Sequence, residues 1–386
     1  MEAKYLIISK HDFRSARKAD IHFLSKEMAT RGKTRFFSVG FSSLSKYKRD
    51  PRISLSGDAN EVREFEGVQC FLWKTWVHPF NLSARVLAPL EHIFFDLYVK
   101  SLPQVFFEWV RDSSHIVLES GMPAIFCSAV RKINPNAKLI YTASDDLETI
   151  GCARYISKAL NKSAELYDWI RVPSRKLAEK FPNGKVICFI PHGIDPDIEN
   201  YADPSPYADG LNAVSVGSML FDADCIVAAA QEFPSMKFHI IGAGRAAENL
   251  SEKNIKIYPE MPFRDTLPYI KHANIGLAPY AGEKVHPYLT DTSMKLAQYA
   301  FFRVPAVCPD AVVGDHSGRF GYDPGNRESI VTAISAALRA RKVDTFKGLA
   351  WADVTDRLLS PHDFPELIMG AQNGQEMGPL RVSDHV

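Results

Sequence analysis

The chain has 386 residues, 46% hydrophobic and 24% charged, enough to bury two ordinary cores, so two domains are expected. No run of about 18 uninterrupted apolar residues occurs, which excludes a spanning helix. The six cysteines are scattered with no Cys-x-x-Cys pair, which argues against a zinc site and for buried thiols in a reducing compartment. The net charge of +1 hides an asymmetry. Residues 1–200 hold 29 Lys/Arg against 23 Asp/Glu, the remainder 17 against 22, and residues 1–52 alone hold 13 against 5. A basic face of that kind suits an anionic partner such as a membrane surface or a pyrophosphate, and is equally a solvated face.

In chain order, strands are expected at Tyr5–Ser9, Arg35–Val39, Gln69–Trp73, His115–Glu119, Lys138–Ala143, Trp169–Val172 and Val186–Pro191, with helical segments between most of them. The first strand begins without a signal-peptide pattern, so a cytosolic protein is expected. The first helix runs through Ile21, Leu24 and Met28 and stops at Gly32, a good residue just past a helix end. Residues 71–110 are crowded with aromatic and aliphatic groups, among them Trp73, Trp76, Leu87 and Phe95, with Lys74, Arg85 and Lys100 interspersed. They fit either a long core helix or a segment lying in a membrane interface. Pro, Gly and Asp cluster from Ile190 to Pro206 and mark a change of domain. The pattern then restarts with strands at Ala213–Gly217, Lys237–Ile241, Ile255–Tyr258, Ile275–Pro279 and Pro305–Cys308, and helices near Arg327–Arg341 and Thr345–Leu359. Alternation of this kind predicts an α/β protein of two Rossmann-like, doubly wound domains facing a cleft. Their bounds are read as 1–197 and 212–372, with a linker at 198–211 and a flexible tail at 373–386.

Ligands of open α/β sheets bind beyond the carboxyl ends of the strands. In the second half those ends present Gly217, Ser218 and Met219, then Gly242, Glu260 and Tyr280. Thr290 to Ser293 cap a helix whose first turn carries Met294 and Lys295, with Gln298 on the same face as Lys295. Backbone N–H groups, a helix N-terminus and a lysine suit a diphosphate, and a carboxylate at Glu260 suits ribose hydroxyls. Each signal taken singly is also an ordinary turn or cap. In the first half Asp145 follows a strand and could deprotonate an acceptor hydroxyl, or simply cap a helix. His11, Asp12 and Arg14, with Glu119 and Ser120, are expected around the same cleft. Asp222-Ala223-Asp224 reads as a helix cap rather than a metal pair, and no metal or other cofactor is expected. There is no phosphate loop, no nucleophile elbow and no nucleic-acid module.

Several runs carry a resemblance: Ser9-Lys10-His11-Asp12-Phe13-Arg14, Val77-His78-Pro79-Phe80-Asn81, Ala143-Ser144-Asp145, Val216-Gly217-Ser218-Met219, Ser293-Met294-Lys295-Leu296 and Pro305-Ala306-Val307-Cys308-Pro309. They are similar to the xanthan-type glucuronosyltransferases, the GumK family, over roughly Tyr5 to Pro365. The resemblance implies a GT-B fold and inverting transfer from UDP-glucuronate to a sugar on a polyprenyl-diphosphate carrier. It places the reaction at the inner face of a bacterial cell membrane, in exopolysaccharide synthesis. By motif it makes Asp145 the general base, and Ser218, Met219, Glu260, Tyr280, Met294, Lys295 and Gln298 the UDP-sugar site. The family pattern has Gly after the aspartate, where this chain has Asp146. The alternatives are a UDP-sugar epimerase of the same fold and a non-catalytic UDP-sugar-binding partner of a polysaccharide assembly complex.

Overall fold

The computed structural model describes residues 3–47, 50–81, 88–181, 186–281, 285–340 and 348–369. Its first sheet contains β1 (Ala3–Ser9), β2 (Gly32–Ser42), β3 (Val62–Phe65), β4 (Val68–Thr75), β5 (His115–Glu119), β6 (Lys138–Thr142), β7 (Trp169–Val172) and β8 (Ile187–Phe189). The second is built from β9 (Asn212–Val216), β10 (Lys237–Ile241), β11 (Ile255–Tyr258), β12 (Ile275–Leu277), β13 (Ala306–Pro309) and β14 (Arg319–Tyr322). A last short strand, β15 (Ile368–Met369), returns to the first sheet and pairs antiparallel with β8. The strand orders are β15-β8-β7-β6-β5-β1-β2-β4-β3 and β11-β10-β9-β12-β13-β14.

Both sheets are parallel except at the β3 and β15 edges, because helical crossovers return the chain to the same end each time. Along β1 the side chains alternate between two buried faces. Leu6 and Ile8 face α2 (Ala88–Lys100), α3 (Gln104–Arg111), α4 (Cys127–Ile133) and α5 (Arg154–Ser163). Tyr5 and Ile7 face α1 (Asp20–Arg31). The single turn of α6 (Arg175–Ala178) leads into β8, after which the chain leaves the first sheet. In the second sheet Ala213, Phe238 and Ile275 pack under α7 (Ala223–Glu232), and α8 (Phe263–Lys271) follows β11. On the opposite face Val214 and Ala306 meet α10 (Met294–Phe301), which is preceded by the one-turn α9 (Leu289–Thr292).

Two expectations need correction. The segment after α11 (Arg327–Arg339) does not stay with the second domain to residue 372. Instead α12 (Trp351–Leu359) packs on α1 within the first domain's core, where Trp351 is buried against Phe23. Second, Gly32 does not end α1 in a left-handed conformation, since its φ is 170°. A glycine is required there because a Cβ would stand 2.3 Å from the Ala3 carbonyl oxygen. The linker is not a free tether: Ile198 and Ala202 are buried with Leu267, and the Tyr207 hydroxyl donates to the Tyr269 carbonyl at 2.6 Å. The expected tail, and Arg85 and Leu87, lie outside the described residues.

Candidate active site

Each sheet changes winding direction once, between β1 and β5 and between β9 and β12. These switch points face each other, and the loops beyond them enclose a cavity of about 260 Å³. Among the described residues, hydrogen bonds cross the cleft from Arg17 Nη1 to Ser218 Oγ (3.0 Å), from the Tyr288 hydroxyl to Asp145 Oδ1 (3.5 Å) and from Ser174 Oγ to Asp291 Oδ2 (2.7 Å).

The second domain supplies one wall. After β9, Gly217 takes φ +91°, a value that favours glycine, and turns the chain so that Met219 faces the cavity. Its own N–H is engaged by the Ile241 carbonyl at 2.8 Å. Gly242 lies against Glu260, where an added Cβ would stand 3.6 Å from the Glu260 Cα. Glu260 is exposed at the cavity rim. Tyr280 is buried, its hydroxyl 2.6 Å from Ser293 Oγ, and Ser293 in turn accepts from the Leu296 N–H as the N-cap of α10. Met294, Lys295 and Gln298 follow and line the cavity. Lys295 Nζ sits 5.3 Å from the Tyr280 ring centroid and is buried with no hydrogen-bond partner. Burial, aided by the nearby Arg17 charge, pushes its pKa down to about 7.

On the first domain's wall, Asp145 lines the cavity beyond β6. Burial raises its pKa to about 6, and the negative charge of Asp20 adds to this against the Tyr288 hydrogen bond and Arg17. The adjacent Asp146 turns the other way. It accepts from the Thr149 N–H (3.2 Å) and hydroxyl (2.9 Å), with Lys180 Nζ at 3.8 Å. The two carboxylates that sequence left adjacent therefore have different surroundings: Asp146 is a turn cap, and Asp145 faces the cleft. His11 also lines the cavity, its imidazole 47% exposed, and its surroundings lower its pKa.

Asp12 and Arg14, expected around the cleft, are instead committed to one another. Arg14 grips Asp12 through Nε (2.8 Å) and Nη2 (3.0 Å), and Ser38 Oγ donates to the same carboxylate at 3.0 Å. Glu119 lies beneath the cavity wall, bonded to the Ser9 hydroxyl with His11 Nε2 at 3.7 Å. Its pKa is well above the usual carboxylate range, through burial and the Asp20 charge. Ser120 is buried, with its N–H on the Thr142 carbonyl at 2.9 Å. Asp222 caps α7 through the Cys225 N–H at 3.1 Å. Among the cavity residues that escaped the sequence reading are Arg17, Lys18, Asp20 and His192. Arg17 and Asp20 flank the start of α1 in the basic segment and could have been flagged by that position. His192 carried only a linker signal.

Two facing doubly wound domains with a cavity at opposed switch points define the GT-B fold. Solved structures of similar fold include that of E. coli trehalose-6-phosphate with UDP-2-fluoro glucose (TM-score 0.59, 10% identity, 94% of this chain and 95% of that one). A glycosyltransferase from Rickettsia africae (TM-score 0.56, 12% identity, 96% and 100%) and a UDP-N-acetylglucosamine 2-epimerase from Listeria monocytogenes (TM-score 0.55, 8% identity, 95% and 97%) are also similar. The family model for the N-terminal domain of glucuronosyltransferase GumK matches residues 7–173. The UDP-glucuronate:glycolipid 2-beta-glucuronosyltransferase of Xanthomonas campestris pv. campestris is 46% identical over 94% of this chain and 90% of its own length. The chain belongs to the GumK glucuronosyltransferase family.

Proposed function

We propose that this chain is an inverting, metal-independent glucuronosyltransferase that moves glucuronate from UDP-glucuronate to a polyprenyl-diphosphate-linked oligosaccharide in exopolysaccharide synthesis. One observation carries the reading: Lys295, a buried amine with no partner at a helix N-terminus, shares a cavity with Asp145, a carboxylate held near neutrality. The lysine and the α10 N-terminus suit a diphosphate, and Glu260 at the rim suits ribose hydroxyls. Arg17 beside the cavity suits the acidic sugar, since a guanidinium matches a carboxylate in geometry and charge. In the reaction the acceptor oxygen forms its bond to the anomeric carbon as the bond to the diphosphate breaks. The hydroxyl proton passes to Asp145, and the electron pair leaves on UDP, where Lys295 and the helix N-terminus offset the developing charge. Those groups supply the positive charge a metal would bring, so turnover is expected to survive chelation.

The acceptor reading draws support from the first domain's surface. Phe71, Trp73, Phe95 and Tyr98 are core residues, yet Trp76 is 92% exposed and Leu90, Ile93 and Leu97 form an exposed stripe on α2. Helix α5, which follows the Asp145 loop, packs against α2: Tyr155 stacks on Phe95 at 4.6 Å, and its hydroxyl donates to Asp96 at 2.7 Å. An exposed apolar face on the domain that carries the base suits an enzyme docked peripherally on the inner face of the cell membrane, whose acceptor is held in the lipid.

The test is Asp145→Asn. Transfer from UDP-glucuronate to a lipid-linked acceptor should fall by a factor of about 10² to 10⁴, the usual worth of a general base, while UDP affinity measured calorimetrically stays within about twofold. Wild-type turnover in this variant would remove Asp145 from the chemistry. Release of an epimerised sugar without acceptor would replace the transferase by the epimerase reading.

A further inference from the structure

Asp20 opens α1 from inside the protein, 3% exposed, at the floor of the cavity. An unpaired charge in such a place is costly, and here it is fully engaged. Its Oδ2 accepts from Ser144 Oγ at 2.8 Å and from Arg171 Nη1 at 2.9 Å, and His192 Nδ1 stands 3.5 Å away. Arg171 is fully buried on β7 and is fixed further by the Ile190 carbonyl (3.1 Å) and Thr142 Oγ1 (3.0 Å). Burial pushes His192 to about 4, so it is neutral at pH 7 and Arg171 is the lasting counter-charge. Burial would raise the Asp20 pKa, but His192, protonated only at the acid pH where Asp20 itself titrates, together with the Arg171 charge and the hydrogen bonds outweighs it and holds it to about 2. The residue bonded to Asp20, Ser144, immediately precedes Asp145.

We propose that Asp20 is a positioning residue for the base: through Ser144 it fixes the loop that aims Asp145 into the cavity, and it places a permanent negative charge beside that carboxylate. The inference rests on the transferase reading above for its use, not for its geometry. The groups facing Asp145 from each surrounding element are Asp20 on α1, Arg17 in the loop before α1, Asp146 and Cys152 on its own loop, Glu119 on β5 and Tyr141 on β6. Across the cleft they are Tyr280 and Tyr288. Burial keeps the tyrosines and Cys152 neutral and pushes the Glu119 pKa well up, and Asp146 is turned to Thr149 and Lys180. Arg17 pulls the Asp145 pKa down, and Asp20 is the buried anion opposing it. Asp20 is held charged by its arginine, and burial pushes the pKa of Glu119, beneath the cavity wall, well up. Asp145 is left to titrate where a base must.

The experiment follows the Asp145 carboxyl by ¹³C NMR in aspartate-labelled protein, assigned by its loss in Asp145→Asn, for the wild type, Asp20→Asn and Ser144→Ala. Neutralising Asp20 removes a like charge and leaves Arg171 unpaired. Both effects favour the ionised base, so its midpoint should move down by about one pH unit or more. Ser144→Ala keeps the charge, so the midpoint should stay within a few tenths of a unit while kcat falls about tenfold with the donor KM unchanged. An unmoved midpoint in folded, UDP-binding Asp20→Asn overturns the charge role. A wild-type kcat in Ser144→Ala overturns the positioning role, and that variant answers even where Asp20→Asn fails to fold. The NMR readout needs no turnover, so its failure is separate from failure of the transferase assignment, which the Asp145→Asn assay reports.

Discussion

Lys295 and Asp145 sit on opposite walls of one cavity, and burial moves both toward neutrality, the lysine to about 7 and the carboxyl to about 6. Neutral forms cost less in a low-dielectric site than two uncompensated charges. For the lysine the sign is definite. At pH 8 the free protein holds most of Lys295 deprotonated, and a bound diphosphate raises its pKa, so UDP binding takes up close to one proton. At pH 6 the amine is already charged and uptake should be small. Calorimetry in buffers of different ionisation enthalpy measures this directly. Uptake that is equal at pH 6 and pH 8, or that persists in Lys295→Ala, would remove the lysine from the phosphate site. For the carboxyl, the acid limb of kcat/KM should fall with a midpoint near 6, because protonation below that value removes the base.

The elements that carry these residues depend on close approaches that composition alone does not reveal. In β12, Gly276 lies so near α10 that a Cβ would stand 2.5 Å from the Tyr299 ring, and the Tyr299 hydroxyl lies 3.1 Å from the Val214 and Leu277 carbonyls. Gly276→Ala should force α10 outward, at about 1–3 kcal/mol by the usual scale of overpacking. The denaturant midpoint should drop, and UDP affinity should weaken with it, because Lys295 rides on that helix. An unchanged midpoint and affinity would mean that α10 yields freely. On the first domain, Trp76→Ser with Ile93→Ser should reduce flotation with vesicles of anionic phospholipid several-fold, yet spare turnover on a short-chain soluble acceptor. Undiminished flotation would place the membrane contact elsewhere. Sequence reading found the β12–α10–β13 unit because buried parallel strands are continuous apolar runs and Ser293 is a standard cap. It missed β3, β14 and β15. All three are edge strands whose residues are mostly part-buried or exposed, so none has a strong periodic signal. It also placed Asp12 and Arg14 in the cleft, since being near a strand end in sequence does not say which way a side chain turns.

At the scale of the whole molecule, two domains were legible from the restart of the strand–helix pattern, but the crossing of α12 to the first domain was not. Nothing local to residues 351–369 distinguishes packing on the nearer sheet from a return to the farther one; only the available partner surface decides. That surface is specific. Trp351 stacks on Phe23 at 5.1 Å and lies over Gly193, where a Cβ would meet it at 2.8 Å. Arg31 donates to the Asp356 carboxylate (3.0 Å) and the Ala352 carbonyl (3.1 Å), and the Trp169 indole donates to the Leu358 carbonyl at 2.9 Å. Because Gly193 and His192 belong to the crossover between domains, α12 clamps α1 and that crossover together. Removing residues 349–386 should therefore damage the first domain, although the deleted chain follows the second. Local stability is read by amide exchange, and protection should fall in α1, β7 and β8 while β9, β10 and β12 keep theirs. Loss confined to the second sheet, or no loss at all, would show that α12 is an appendage. The expected result instead makes the C-terminal return part of what holds Asp20, and through Ser144 the base, in place.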